Sequence, residues 1–92
     1  MVKVIESTDE PADTPHIEFN IYRSPNDRKI VMGYVSGGGF IHTGGAQVTW
    51  FTTPFGVPVK EAYANALNIA EHYGLAVWLR DKEELFPQDA RQ

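Results

Sequence analysis

Apolar residues recur along this chain with two different periods, and the change of period marks its elements. From His16 to Arg23 the alternation is strict: Ile17, Phe19 and Ile21 fall on one side, and His16, Glu18, Asn20 and Tyr22 on the other. Successive side chains of an extended strand point to opposite faces, so this pattern predicts a half-buried antiparallel strand with one wet face. Ser24-Pro25-Asn26-Asp27 carries turn chemistry. Lys29 to Val35 is the predicted returning strand, and Gly33 inside it marks a bulge or a close approach of another part of the chain. Ala46 to Thr52 alternates again, with Val48 and Trp50 opposite Gln47, Thr49 and Phe51. Thr53-Pro54-Phe55-Gly56 then breaks the strand.

From Pro58 to Tyr73 the period becomes helical. At about 100° per residue, Val59, Ala62, Tyr63, Ala66, Leu67, Ile69, Ala70 and Tyr73 share one side, and Lys60, Glu61, Asn65, Asn68, Glu71 and His72 the other. Pro58 suits a first helical turn, where its missing N–H costs nothing. Gly74 suits the residue after the last turn, where φ becomes positive. The alanines at 62, 64, 66 and 70 allow the helix to lie close to a sheet. Leu75 to Leu79 follows without a polar break and predicts a short strand buried largely on both faces.

The resulting order is strand, strand, strand, helix, strand. It predicts a small α+β domain: a single-layer β-sheet with one amphipathic helix packed on one face. A right-handed crossover sets the last strand parallel to the third, with a place open beside the first. Residues 1–15 read as a flexible acidic arm, in which Val2, Val4 and Ile5 are able to add a short edge strand. The domain proper spans 16–87. Asp81 and Glu84 look like a capping pair for one short helical turn, Leu85-Phe86 folds back on the core, and residues 88–92 are expected to fray.

Composition narrows the chemistry. The chain has 92 residues, one domain's worth, and no cysteine, which excludes disulfides, thiolate metal sites and a Cys nucleophile. Met1–Ile5 is followed at once by acidic and polar residues, so no signal-peptide apolar core is legible. No apolar run approaches the ~18–20 residues that span a bilayer. A cytoplasmic protein without membrane contact is expected. The net charge is −4, and the eight basic residues are scattered apart from Arg28-Lys29. Direct binding of a phosphate backbone is therefore disfavoured.

Residues 36–45, SGGGFIHTGG, contain five glycines. They form either a long hairpin loop or two tight turns around a short Phe40-Ile41-His42 arm. A phosphate cradle needs a Lys-Ser/Thr pair and a helix after the glycines, whereas Phe40-Ile41 and a strand follow here. His16, His42 and His72 have no metal-ligand spacing, and Ser7, Ser24 and Ser36 lie in no nucleophile elbow. No catalytic residue, metal or cofactor is assigned. Phe19, Trp50, Tyr63, Tyr73 and Trp78 suit the core. Tyr22 and Phe51 project, by alternation, to the sheet's other face. The candidate binding residues are Gly38, Phe40, Ile41 and His42 in the loop, with Tyr22 and Phe51 on the sheet.

Glu61-Ala62, Asn65-Ala66 and Ala70, after three strands and before a fourth, resemble the strand–helix layout of HicB-type antitoxin domains. That family's proline–glycine–cysteine signature is absent; Thr53-Pro54-Phe55-Gly56 stands in its place, and no residue role is carried over. The expectation is a non-enzymatic protein-interaction module: an adaptor, an antitoxin-like regulator or an inhibitor of phage or mobile-element type. The alternatives are a small-ligand or nucleic-acid binding domain using the same loop, and a homodimer.

Overall fold

The computed structural model of the chain describes residues 2–11, 14–37, 42–43, 46–47 and 51–91. The elements are β1 (Val4–Ile5), β2 (His16–Arg23), β3 (Val31–Gly37), β4 (His42–Thr43), β5 (Ala46–Gln47), β6 (Phe51–Thr52), β7 (Val57–Pro58), α1 (Val59–Tyr73) and β8 (Ala76–Arg80), followed by a 3₁₀ turn at Gln88–Arg91. One mixed sheet runs in the order β1-β8-β2-β3-β6, with β7 also pairing β3. β2 and β3 are antiparallel, and β8 is parallel to both β1 and β2. This is the expected α+β single-layer sheet with one helix. The last strand does enter beside the 16–23 strand, in the lane between it and β1.

The strand predicted over 29–35 is shifted to Val31–Gly37, because Lys29 and Ile30 are held in the turn. The Lys29 N–H donates to Asp27 Oδ1 and the Ile30 N–H to the Asp27 carbonyl. Two parts of the predicted 46–52 strand are described. Ala46–Gln47 pairs with His42–Thr43 in a separate two-stranded sheet, while Phe51–Thr52 joins β3; residues 48–50, with Trp50, lie outside the described residues. Thr53 continues the cover of β3. Its N–H donates to the Val35 carbonyl at 2.8 Å, and its hydroxyl accepts from the Val35 N–H at 2.8 Å.

The helix begins after Pro58, whose φ of −55° and ψ of 144° lead into it without a side-chain cap. It ends at Gly74 (φ 68°, ψ 37°). There the Leu75 N–H donates to the Ala70 carbonyl and the Gly74 N–H to the Glu71 carbonyl, the paired bonds of a Schellman motif. Of the predicted apolar stripe, Ala62, Ala66 and Ala70 are fully buried against the sheet. Tyr73 is not in the core: it is 42% exposed and lies edge-on to His72. Leu75, buried immediately after the motif, closes the core at this end instead.

The core lies between α1 and the helix-side face of the sheet, with Ile17, Phe19, Val35 and Val77 all at 0% exposure. Gly33 marks a close approach and no bulge, since its pairing with Ile21 is in unbroken register. A Cβ at Gly33 would stand 2.8 Å from Phe19 Cε1 and Cζ and 3.1 Å from Ala62 Cβ. The Phe19 ring thus fills the space that a side chain would take, directly beneath the helix. Tyr63 packs on Phe19 (5.6 Å) and Phe86 on Tyr63 (5.3 Å, edge-on).

Phe86 folds back as expected, by a different device from a capped helical turn. The Asp81 carboxylate accepts from the Leu85 and Phe86 N–H groups, both at 2.8 Å, and Glu84 takes a positive φ of 53°. The 88–91 stretch, expected to fray, forms the 3₁₀ turn and is tied by Arg91 to the Phe86 carbonyl and to Glu6.

Two stability outcomes follow. Gly33→Ala is expected to destabilise the fold by about 1–3 kcal/mol through overpacking. In thermal melting that appears as a fall of about 4–8 °C per kcal/mol. Adding Phe19→Leu should recover part of the loss, because the shorter side chain withdraws from the new Cβ. Asp81→Ala leaves two N–H groups without their acceptor and should cost about 1–3 kcal/mol in denaturant unfolding.

Candidate functional site: the open face of the sheet

Alternation sends a second set of side chains to the face away from the helix. It comprises His16, Glu18, Asn20 and Tyr22 from β2, Met32, Tyr34 and Ser36 from β3, and Trp78 and Arg80 from β8. The chain treats the two ends of this face differently.

At the β1 end the N-terminal segment lies over the sheet. Trp78, 5% exposed, donates its indole N–H to the Ser7 carbonyl at 2.9 Å. His16 is 4% exposed, with Nδ1 2.7 Å from the Thr14 carbonyl oxygen and Nε2 3.2 Å from Glu10 Oε1. Its ring meets Trp78 edge-on at 5.8 Å. Trp78 is therefore buried as expected, but on the face away from the helix, against Ser7 and His16.

A polar ladder crosses the centre. Asn20 Nδ2 donates to Ser36 Oγ at 3.0 Å, and Ser36 Oγ donates to Glu18 Oε2 at 3.1 Å. The Arg80 guanidinium lies 3.9 Å from the same carboxylate oxygen and 4.9 Å over the Trp78 ring. The Ser36 hydroxyl, 3% exposed, is thus engaged as both donor and acceptor. Among the described residues no group of three or more His, Asp or Glu side chains converges as a metal site.

At the other end the face is aromatic, and among the described residues it is only partly covered: Tyr22 and Tyr34 are half-buried. Tyr22 and Tyr34 meet at 6.0 Å, and Tyr34 and Phe55 at 4.5 Å with a 57° tilt. The Gly56 N–H donates to Tyr22 Oη at 2.9 Å, which fixes the phenol and the Phe55–Gly56 turn together. Gly56 holds φ at 83°, a conformation glycine adopts without strain. Phe55 is 64% exposed. A groove of about 870 Å³ runs from these rings, past the end of β2, to the 80–85 segment. This volume is in the ~300–1,000 Å³ span of ligand pockets.

Of the sequence-predicted site residues, Tyr22 stands on the open face at the groove. Gly38, Phe40 and Ile41 lie outside the described residues. His42 is in β4, opposite Gln47. Phe51 pairs with Gly37 at one end of β3, while Tyr22 pairs with Met32 at the other. Five residues of strand, about 17 Å, separate those positions. The structure therefore does not bring Tyr22 and Phe51 together; it gives Tyr22 the partners Tyr34 and Phe55. The Tyr34 signal was present in the sequence, since Met32, Tyr34 and Ser36 alternate with Val31, Gly33 and Val35. Phe55 carried no periodic signal, being in a turn.

Comparison with protein-family models, curated proteins and solved structures finds no match to this chain. The resemblance of the helix region to HicB-type domains accordingly assigns nothing. No helix among the described residues is long and apolar enough to cross a membrane.

Trp78→Phe removes the donor to Ser7 while keeping an aromatic ring in place. Stability is expected to fall by about 1 kcal/mol. Limited proteolysis N-terminal to Pro15 should speed up in the same variant, and an unchanged cleavage rate would show that this bond does not hold the segment down.

Proposed function

We propose that this chain is a small, cytoplasmic, non-enzymatic protein-interaction module. It binds a protein partner through the aromatic end of its open sheet face, together with the glycine-rich segment 36–45. The observation that carries this reading is the Tyr22–Tyr34–Phe55 cluster beside the groove, with Phe55 64% exposed. Exposed aromatic clusters beside a concave surface are the usual anchors of protein interfaces. The acidic balance of the chain, −4 overall, favours a protein over a phosphate backbone as partner.

A tagged full-length chain, captured from its own cells with and without nuclease and read by mass spectrometry, tests the proposal. One stoichiometric protein retained after nuclease is the expected result. The variant Tyr34→Ser/Phe55→Ser should weaken that partner by about tenfold or more, some 1.4 kcal/mol or above, with circular dichroism unchanged. Replacing residues 38–45 by a short linker should weaken it as well. Recovery only of species lost on nuclease treatment would replace the protein-binding reading with a nucleic-acid one.

A further inference from the structure

The lanes of the sheet are unequal in length, and the shortfall lies at the groove. β2 has eight residues and β8 five, and their pairing ends at Asn20↔Arg80. The direction of the backbone groups beyond that point is fixed by hydrogen bonds on either side. The Ser24 N–H donates to the Ile30 carbonyl, so the even-numbered residues of β2 turn their N–H and C=O toward β3. The Ala76 N–H donates to the Pro15 carbonyl, so the odd-numbered residues turn theirs toward β8. Past Arg80 this leaves the Ile21 C=O and the Arg23 N–H facing a lane in which no strand of the described residues lies. Among the described residues neither group has a backbone or side-chain partner.

The chain leaves this lane for a structural reason. The Asp81 carboxylate gathers the Leu85 and Phe86 N–H groups, and the positive φ of Glu84 turns the backbone so that Phe86 enters the core. Asp81, Lys82, Glu83 and Leu85 therefore form the far wall of the groove and not a continuation of β8. On the open-face side the same lane is flanked by Tyr22, whose ring leads to Tyr34 and Phe55.

We propose that the groove receives an extended peptide segment, which adds as a short strand in the vacant lane beyond Arg80. This rests on the protein-binding reading above and specifies how the partner docks. The peptide donates to the Ile21 C=O and accepts from the Arg23 N–H, completing the ladder of β2. Main-chain bonds of this kind supply affinity in strand addition, and alternate side chains supply selectivity. A side chain on the open-face side meets the Tyr22 ring and its neighbours, so an aromatic or large aliphatic residue fits there. The charged rim has both signs: Arg23 stands 3.9 Å from Glu83, and the Asp81 carboxylate is already engaged. The rim thus selects no strong charge, and the preferred peptide is apolar at every second position and near neutral.

The test is a selection of displayed random heptapeptides on the full-length chain, followed by titration of the best synthetic peptide into ¹⁵N-labelled protein. Alternating apolar sequences should be enriched, the amides of residues 21–23 should shift, and the Arg23 amide should exchange more slowly with solvent. Arg23→Pro removes the one donor N–H facing the lane, and its side-chain counterpart Arg23→Ala keeps that donor. Arg23→Pro should lower affinity by about tenfold or more, whereas Arg23→Ala stays within about threefold. Should Arg23→Pro melt early, N-methylation of the peptide at single backbone positions gives the same information on native protein: one position should abolish binding. No enrichment, or a peptide indifferent to both changes, would overturn strand addition. Concentration-dependent self-association weakened by Arg23→Pro would assign the lane to a second copy of the chain and likewise overturn the peptide. A captured protein partner that is lost with Tyr34→Ser/Phe55→Ser but ignores Arg23→Pro would leave the protein-binding function standing and refute only this mode of docking.

Discussion

The arrangement depends on how closely the helix lies against β2 and β3. Gly33 has no Cβ, the Phe19 ring occupies that space, and Ala62 presses down from above with only a methyl group. Each of the three residues is small or large because of the other two. A larger residue at 62 would lift the helix, and a larger one at 33 would displace the ring. With the spacing set, the helix needs no long side chains toward the sheet, and its buried stripe is alanine at 62, 66 and 70. The volume comes from the sheet side, through Ile17, Phe19, Val35 and Val77. Tyr63 and Phe86 then seal the end of the core where Phe19 lies.

The helix position in turn sets the sheet. The Schellman motif at Gly74 reverses the chain within two residues and delivers Leu75 into the core. From there Ala76 is beside His16, and β8 has a free lane between β1 and β2. A strand with neighbours on both sides, α1 on one face and the N-terminal segment on the other, must be apolar throughout. Ala76 to Leu79 are buried without exception. Arg80, the first residue with a charge, is also the last in the ladder. The length of β8 is therefore limited by the Asp81 turn that sends Phe86 back to the core, and the vacant lane beside Ile21–Arg23 is a by-product of core closure.

Much of this was legible in the sequence because it depends on periodicity and on local backbone chemistry. The helix bounds were fixed by Pro58 and Gly74, the faces of β2 by alternation, and the close approach by a glycine in the middle of an apolar strand. What periodicity could not supply was which partner lies across a strand. Parity alone puts Tyr22 and Phe51 on one face, yet register against β3 sets them five positions apart. Phe55 sits in a turn, where no period applies, and reaches the face only through the bond from Gly56 to Tyr22. Trp78 was legible as buried; that it is buried under the N-terminal segment was not, because the bond to Ser7 spans 71 positions of chain. Asp81 has the spacing of a cap, but the N–H groups it gathers belong to a loop, and a spacing of three to Glu84 cannot distinguish that loop from a helical turn.

The open face therefore has two ends with different physical status. At one end the polar and aromatic groups are satisfied by the chain itself: Ser7 takes the indole proton of Trp78, and Glu10 and Thr14 meet the two nitrogens of His16. At the other, Phe55 is mostly in solvent and Tyr22 and Tyr34 are half-buried next to it, beside a C=O and an N–H without a partner among the described residues. Water can satisfy the backbone groups, so the open lane costs little in the isolated chain. Burial of the rings, at roughly 25 cal/mol per Å² of apolar surface, is available only to something that brings its own backbone or side chains into the groove. Stability of the fold does not call for Phe55, which is mostly in solvent, or for the gap beyond Arg80. Both features stand outside the packing that holds α1 to the sheet, and that independence makes this end of the face, rather than the buried His16–Trp78 end, the place where side chains can be changed without unfolding the chain.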